Sequence, residues 1–206
     1  MEISSQTEQK IIEAATTVFS EKGKDGARMQ EIADMAGTNK ALLHYYFRSK
    51  HQLFRIVFIY QFKKLIASIF SAIDDDDNFY QFIHTFVTRY IQYVKKRKNM
   101  LRFIIWEIGK EDPEVFSNVK SAFIEQGYSD NPIIEKTKKA IESGQIKAVD
   151  PVHFTVSILA MCVFPFITYQ FIGKVIPGAD VDNPDFIDKR ADEIVRLIWD
   201  GIRADQ

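Results

Sequence analysis

The sequence is poor in cysteine, proline and glycine, and it has almost no net charge. Its 206 residues include one cysteine, six prolines and nine glycines, and the formal net charge is −1. The single Cys162 excludes an intrachain disulfide framework and suits a reducing compartment. The near-zero charge argues against nonspecific binding of polyanions by the whole molecule. The first ten residues, MEISSQTEQK, are acidic and polar, which predicts no signal peptide and a cytoplasmic protein.

Patterns for catalysis and metal binding are also missing. The sequence has no phosphate-cradling glycine loop, no nucleophile elbow and no paired zinc-ligand spacing. A di-iron bundle needs two Glu-x-x-His pairs, whereas the four histidines offer one Asp150-x-x-His153. The consecutive aspartates Asp74 to Asp77 lack the alternation of calcium ligands and predict a solvated loop. We therefore expect a protein that is not an enzyme and that holds no metal or cofactor.

One long uncharged run needs a separate explanation. Phe154 to Ile172 contains no charged residue and approaches the length of a bilayer span. Polar residues dilute the run, Pro165 interrupts it and no basic cluster flanks it, which favours a helix buried on most sides over a membrane span. Pro165 also removes the hydrogen bond that the Met161 carbonyl would accept in an unbroken helix.

Helix start signals recur along the chain, and no strand-like alternation appears. Four prolines each follow a residue that can cap a helix, at Asp112-Pro113, Asn131-Pro132, Asp150-Pro151 and Asn183-Pro184. With Gly144 as a helix stop, we predict helices near 78–97, 99–110, 113–126, 132–143, 151–173 and 184–203. The fold class is therefore predicted to be all-α.

The stretch from Arg28 to Lys50 has the pattern of a helix-turn-helix. A capping box at Ser5 to Glu8 opens a preceding helix, which is predicted to end at Lys22-Gly23. Ala33 is small where two helices would cross, Gly37 can take the positive φ of a tight turn, and Leu43 anchors the second helix. An ordinary helical hairpin would show the same features, so this pattern alone leaves both interpretations open.

The continuation YYFRSKHQLF favours DNA binding. A small residue and glycine, a polar run, a leucine, an aromatic pair, Phe and Lys stand in order at Ala36, Gly37, Thr38, Asn39, Lys40, Leu43, Tyr45, Tyr46, Phe47, Arg48, Ser49 and Lys50. This order resembles the TetR family of bacterial transcriptional regulators over residues 7 to 55. The chain departs from the family pattern at Ala41, Leu42 and His44, positions that commonly face DNA, so no relative's operator can be assumed.

The resemblance implies a three-helix DNA-binding domain in residues 1–50 and a larger helical effector-binding and dimerisation domain in residues 51–206. The basic surface is local, because six Lys or Arg residues and no acid lie between Met35 and Ile73. Lys50 is expected to bind a phosphate, and Lys40 and His44 to select bases. The candidate contacts to double-stranded DNA are Arg28, Gln30, Thr38, Asn39, Lys40, Ala41, Leu42, His44, Tyr45, Tyr46 and Lys50.

Aromatic residues are frequent in the second domain, and most are expected to be core packing. The resemblance implies that some of them enclose a cavity for an unidentified small molecule. The candidate effector contacts are Phe86, Tyr90, Phe103, Trp106, Phe123 and Phe164. Such a cavity would select an apolar, aromatic or acyl compound.

The last two predicted helices are candidates for self-association. The segment from Pro151 is apolar all round, and the helix from Asn183 carries an apolar stripe of Ile187, Ala191, Ile194, Val195, Ile198 and Ile202. The resemblance implies that both helices pair with their copies in a homodimer that binds a palindrome. We expect a ligand-released repressor. The alternative is an all-α DNA-binding regulator without a small effector, constitutive or dependent on a protein partner; a lipid-carrying or enzymatic bundle would make the basic motif accidental.

Overall fold

The computed structural model describes residues 6–74, 77–109, 113–125 and 127–204. Over these residues the chain is helical, and its one strand-like pairing is an isolated bridge between Ile146 and Arg203. The helices are α1 (Gln6–Gly26), α2 (Met29–Met35), α3 (Lys40–Phe47), α4 (Lys50–Phe70), α5 (Phe79–Lys95), α6 (Lys98–Ile108), α7 (Pro113–Ile124), α8 (Pro132–Glu142), α9 (Pro151–Ile167), α10 (Tyr169–Val175) and α11 (Pro184–Ile202). The predicted all-α fold class is confirmed.

The Asx-Pro signals mark helix starts wherever the structure describes them. Asn131, Asp150 and Asn183 each accept, through a side-chain oxygen, the backbone N–H two residues further along. Each proline occupies the first turn, where no intrahelical donor is needed. A cap of this kind contributes about 0.5–2 kcal/mol. Asp112 and Ser5, named in the other two start signals, lie outside the described residues.

Two predicted helices differ clearly from the structure, whereas the boundaries of the others differ by two residues at most. Gly23 takes a positive φ of 67° as expected of a helix end, but α1 resumes and runs to Gly26. The helix predicted over 151–173 is split at Thr168, where φ is −103° and ψ is 9°. The break follows Pro165 by three residues, and the Thr168 hydroxyl donates to the Phe164 carbonyl at 2.7 Å. No helix among the described residues combines the length and the apolar character needed to cross a membrane.

Arg190 of α11 compensates for a hydrogen bond that Pro165 removes from α9. Because proline lacks an N–H, the Met161 carbonyl loses its helical donor. Arg190 supplies a replacement, with Nη2 donating to the Met161 carbonyl at 3.3 Å. The Nε–H of Arg190 is buried and has no hydrogen-bond partner within the described part of the chain. The contact joins α9 to α11 at the point where α9 cannot satisfy its own backbone.

The chain forms two compact units. The first contains residues Met1–Lys63 and Asn99–Phe116, so it extends beyond residue 50 into α4 and includes most of α6. Phe54 packs edge-on against Phe19 and against Phe103, with ring centroids 4.9 Å apart in both pairs. The side chains of Ile11, Ile12, Ala15, Val18, Ile32, Ala33, Leu43, Phe47, Leu53 and Val57 are fully buried in this unit. Burial of each large one contributes about 1.5–3 kcal/mol.

The second unit contains residues Lys64–Lys98 and Ser117–Gln206. Its core combines the apolar faces of α5, α8, α9 and α11, with Phe82, Phe86, Ile158, Phe166 and Ile194 at 0–2% exposure. The apolar stripe of α11 is part of this core. All six of its residues are buried within the single chain: Ile187, Ala191, Ile194, Val195, Ile198 and Ile202. This corrects the expectation that the stripe contacts a second copy, because its side chains already have intramolecular partners.

Candidate nucleic-acid interface

The turn between α2 and α3 has the geometry that the sequence predicts. Gly37 has a φ of 65°, and the N–H of Thr38 donates to the Ala33 carbonyl at 2.9 Å. Ala33 and Leu43 are fully buried, one on each helix. A side chain at Gly37 would meet no steric obstacle but would strain the backbone at this φ. The two helices are therefore fixed by a short turn and a shared core.

Asn39 begins α3 by capping it. Its Oδ1 accepts the N–H of Leu42 at 2.8 Å, which satisfies one of the unpaired donors in the first turn. Buried Leu43 and Phe47 hold one side of α3 against the first unit. The opposite side therefore presents Lys40, Ala41, His44 and Tyr45, all of which are exposed.

The candidate DNA contacts lie at the surface. None of the eleven is buried, and Tyr45 is 78% exposed. Thr38, Tyr46 and Lys50 are half-buried, and the eight exposed residues are Arg28, Gln30, Asn39, Lys40, Ala41, Leu42, His44 and Tyr45. The structure therefore brings all the helix-turn-helix candidates to the surface of one compact unit, as an interface with DNA requires.

Several of these polar groups already have partners within the first unit. Gln30 Nε2 donates to Asp34 Oδ1 at 2.8 Å, and Nδ1 of His44 lies 3.1 Å from the Arg48 carbonyl. Since a carbonyl only accepts, this contact requires the His44 tautomer that is protonated at Nδ1, which leaves Nε2 as an acceptor when the ring is neutral. Lys50 Nζ donates to the carbonyls of Asp25 and Ala27 at 3.2 and 3.1 Å. The ammonium predicted to bind phosphate is therefore also an internal donor.

Arg48 also lies on this surface, although it is not among the candidates named from the sequence. It is exposed and has φ 54° and ψ −42°, the one positive φ at a non-glycine residue in the described chain. The Ser49 N–H donates to the Phe47 carbonyl at 2.5 Å, so residues 47–49 form a γ-turn with Arg48 at its centre. The available signal was its place in the family-like run between Phe47 and Lys50, where a basic residue follows the aromatic pair.

Three of the six candidate effector residues form a cluster around Phe70. Phe86, Tyr90 and Phe123 lie in the second unit, where Phe86 is 5.9 Å from both Phe70 and Tyr90 and Phe123 is 6.2 Å from Phe70, between ring centroids. Burial raises the pKa of the Tyr90 hydroxyl, which stays a proton donor at neutral pH. The other three are placed differently.

Phe103 belongs to the first unit, where it packs on Phe54. Phe164 is 51% exposed on α9, and the side chain of Trp106 lies outside what the structure describes. A surface cleft of about 390 Å³ beside the start of α5 and the end of α8 is lined by none of the six candidates. The effector site thus remains a prediction.

The described residues contain no group of three or more His, Cys, Asp or Glu side chains placed to bind a metal ion. His84 and His153 are both exposed. In the aspartate run, Asp75 and Asp76 lie outside the described residues, so the predicted solvated loop is described only at its two ends.

Comparisons with known proteins agree with this geometry. The sequence profile described as bacterial regulatory proteins, tetR family, matches residues 11–57. The probable HTH-type transcriptional regulator YttP of Bacillus subtilis is 25% identical over 173 residues, 82% of each chain. The HTH-type transcriptional repressor SCO4008 of Streptomyces coelicolor is 34% identical over 101 residues, 49% of each chain.

Solved structures extend the agreement to the whole fold. The transcriptional regulator FadR from Bacillus subtilis, in complex with stearoyl-CoA, superimposes with a TM-score of 0.73 and 17% identity over 95% of this chain and 99% of that chain. At this identity the match shows the fold alone. An exposed helix-turn-helix is the element with which many DNA-binding transcriptional regulators contact the major groove. Residues 11–57 thus match the TetR family, and the relatives that resemble more of the chain, such as YttP, are described as transcriptional regulators.

Proposed function

We propose that this chain is a transcriptional repressor that binds a palindromic operator as a homodimer and is released by a small apolar or acyl effector. The observation that carries the DNA-binding part is the outer side of α3. Asn39 fixes the first turn of this helix, and Lys40, Ala41, His44 and Tyr45 are exposed together on it. Such a helix can enter the major groove with its N-terminal residues toward base edges. A regulator of this kind acts in the cytoplasm, where the chromosome lies.

A homodimer is supported by the outer side of α9. Apolar residues exposed on this helix include Val152, Val156, Phe164 and Ile167, and Leu197 of α11 is 54% exposed. Exposed apolar residues that share one side of a helix are candidates for a protein–protein interface. The interface in this proposal keeps α9 and α11 but uses their outer sides. Phe164 then serves in the interface, which its exposure fits better than a cavity wall.

The effector proposal rests on the aromatic cluster of Phe70, Phe86, Tyr90 and Phe123 and on the stearoyl-CoA bound by a protein of the same fold. Repression rests on the repressor SCO4008, which resembles half of this chain. α4 is a continuous helix from Lys50 at the helix-turn-helix to Phe70 of this cluster. A ligand that favours one position of α4 must change operator affinity by the factor by which DNA changes ligand affinity.

One gel-shift experiment tests the proposal as a whole. The full-length chain should shift DNA from upstream of its own gene, and a competing unrelated duplex should not displace it. Acyl-CoAs of graded length and a panel of aromatic acids should then be added to the complex. A releasing compound should weaken operator binding by about 1–3 kcal/mol, the usual range of such coupling. Specific binding that no compound changes would favour the effector-free regulator, and absence of specific binding would refute the DNA assignment.

A further inference from the structure

The ammonium group of Lys50 is directed into the first unit. Lys50 opens α4, where a cation would be placed to meet a phosphate, yet the structure gives Nζ two backbone acceptors. It donates to the Asp25 carbonyl at 3.2 Å and to the Ala27 carbonyl at 3.1 Å. Both acceptors lie where α1 ends, and carbonyls at a helix C-terminus attract a cation. Two of the three N–H donors of Lys50 are therefore engaged.

The segment that Lys50 holds leads directly into α2. Ala27 is 3% exposed, and Arg28 is the extended residue that begins α2, with φ −112° and ψ 134°. The side chain of Arg28 makes no cap hydrogen bond, and the Ile32 N–H donates to the Arg28 carbonyl at 3.2 Å. The orientation of the Arg28 side chain is thus set by the backbone on either side of this residue. On the α1 side, Lys50 holds this backbone through hydrogen bonds to two of its carbonyls, and the Lys22–Glu31 ion pair also joins α1 to α2.

Arg48 lies two residues before Lys50, at the junction of α3 and α4. Unlike Lys50, it directs its charged group away from the protein. Its side chain is exposed and makes no hydrogen bond or ion pair within the described part of the chain. The γ-turn holds its backbone at φ 54°, a conformation that few non-glycine residues adopt. A guanidinium at this position is free to approach a phosphate, and Arg suits bidentate phosphate contact.

We propose that Lys50 is a positioning residue, which orients Arg28 through the link of residues 25–27, and that Arg48 is the cation of the α3–α4 junction that contacts a DNA phosphate. The proposal rests on the proposed function, because it assumes that this surface binds DNA. It differs from the sequence prediction, which gives the phosphate contact to Lys50.

The salt dependence of operator binding separates the two roles. Each phosphate contact adds about 0.9 to the slope of log affinity against log salt concentration. Arg48→Asn should reduce this slope by about one and leave thermal stability unchanged, because Asn tolerates a positive φ. Lys50→Met should weaken binding at every salt concentration and should change the slope no more than Arg28→Ala does, because it acts through Arg28. Lys50→Arg, which keeps the donors, should restore most of the affinity.

A double-mutant cycle adds a readout that a general loss of stability would not give. If Lys50 acts through Arg28, Lys50→Met should weaken binding much less in an Arg28→Ala background than in the wild type. Lys50→Gln keeps a shorter neutral donor and serves as the second variant if Lys50→Met does not fold. It too should change the salt slope no more than Arg28→Ala does.

Amide hydrogen exchange tests the positioning role without DNA, so it stands even if the chain binds no operator. Exchange at residues 25–29 should accelerate in Lys50→Met and stay unchanged in Arg48→Asn. Unchanged exchange in Lys50→Met would overturn the positioning role. A slope reduced by about one in Lys50→Gln, with effects additive to Arg28→Ala, would return the phosphate contact to Lys50. An unchanged slope in Arg48→Asn would remove Arg48 from the interface.

Discussion

Two exposed residues on α3 should determine which bases the chain prefers. Lys40 begins the helix and can donate to guanine O6 and N7, while His44, one turn later, presents Nε2 as an acceptor as long as Nδ1 donates to the Arg48 carbonyl. A neutral His44 therefore suits the amino group of cytosine or adenine. We expect Lys40→Ala and His44→Ala each to relax selection at one base position per half-site, by about 1–3 kcal/mol for a good contact.

Binding-site selection from a randomised duplex, followed by sequencing, measures this change. Lys138→Ala removes an exposed lysine of α8 in the second unit and is the matched control, which should leave the preferred sequence unaltered. If both α3 variants select the wild-type sequence with wild-type stringency, base recognition does not lie on this side of α3.

At the residue scale, local signals were predictable and long-range ones were not. The positive φ of Gly37 follows from the turn, and the caps at Asn131 and Asp150 follow from the proline after each. Lys50 looked like a phosphate ligand because its partners, the carbonyls of Asp25 and Ala27, lie more than twenty positions away and any residue type could supply them. Because every residue has a backbone carbonyl, such acceptors cannot be identified from the sequence.

At the scale of elements, the Arg190 contact should compensate for the proline in α9. Removing the guanidinium in Arg190→Met leaves the Met161 carbonyl without its donor, which should destabilise the second unit by about 1–3 kcal/mol. Pro165→Ala returns an N–H to α9. In that background Arg190→Met should cost clearly less, because the Met161 carbonyl then has a helical partner.

Urea unfolding of the four proteins in this cycle gives the coupling energy. Arg196→Met, which removes an exposed guanidinium of α11 paired with Glu193, is the control and should change stability little. If Arg190→Met lowers the free energy of unfolding equally with and without Pro165, the Arg190 contact does not compensate for the proline.

Element boundaries were predictable to the extent that their causes are local. Most predicted helices agree with the structure within a few residues, because capping residues and glycine stops act over a single turn. The division of the 151–173 helix at Thr168 was missed. A proline often kinks a helix without ending it, and here the Thr168 hydroxyl bonding back to Phe164 accompanies the end of α9.

At the scale of the whole molecule, association should depend on the outer side of α9. Val156 is 60% exposed on this helix, so Val156→Asp should leave the folded chain intact while placing a charge in the proposed interface. The variant should sediment as a monomer and lose affinity for a palindrome more than for a single half-site. By contrast, Ile198 is 7% exposed, and Ile198→Asp should unfold the second unit.

Sedimentation and far-ultraviolet circular dichroism distinguish these outcomes. A Val156→Asp protein that remains a dimer at micromolar concentration would contradict the proposed interface, and a folded monomer from Ile198→Asp would restore the inner stripe of α11 to it. The sequence showed that both helices carry apolar surface. It could not show which surface faces its own core, since periodicity reports burial and not the partner that provides it.

The buried free cysteine, Cys162, can report the transient opening of the second unit. Cys162 is 0% exposed in the core of the second unit, and burial raises the pKa of its thiol to about 12. A thiol-reactive dye can therefore react only in molecules whose second unit has transiently opened, and the labelling rate measures the free energy of that opening. A compound that binds the closed unit and not the opened one must slow labelling by the factor 1 + [L]/Kd. Unmodified protein could thus be screened without operator DNA or a fluorescent ligand for compounds that bind the closed unit and not the opened one.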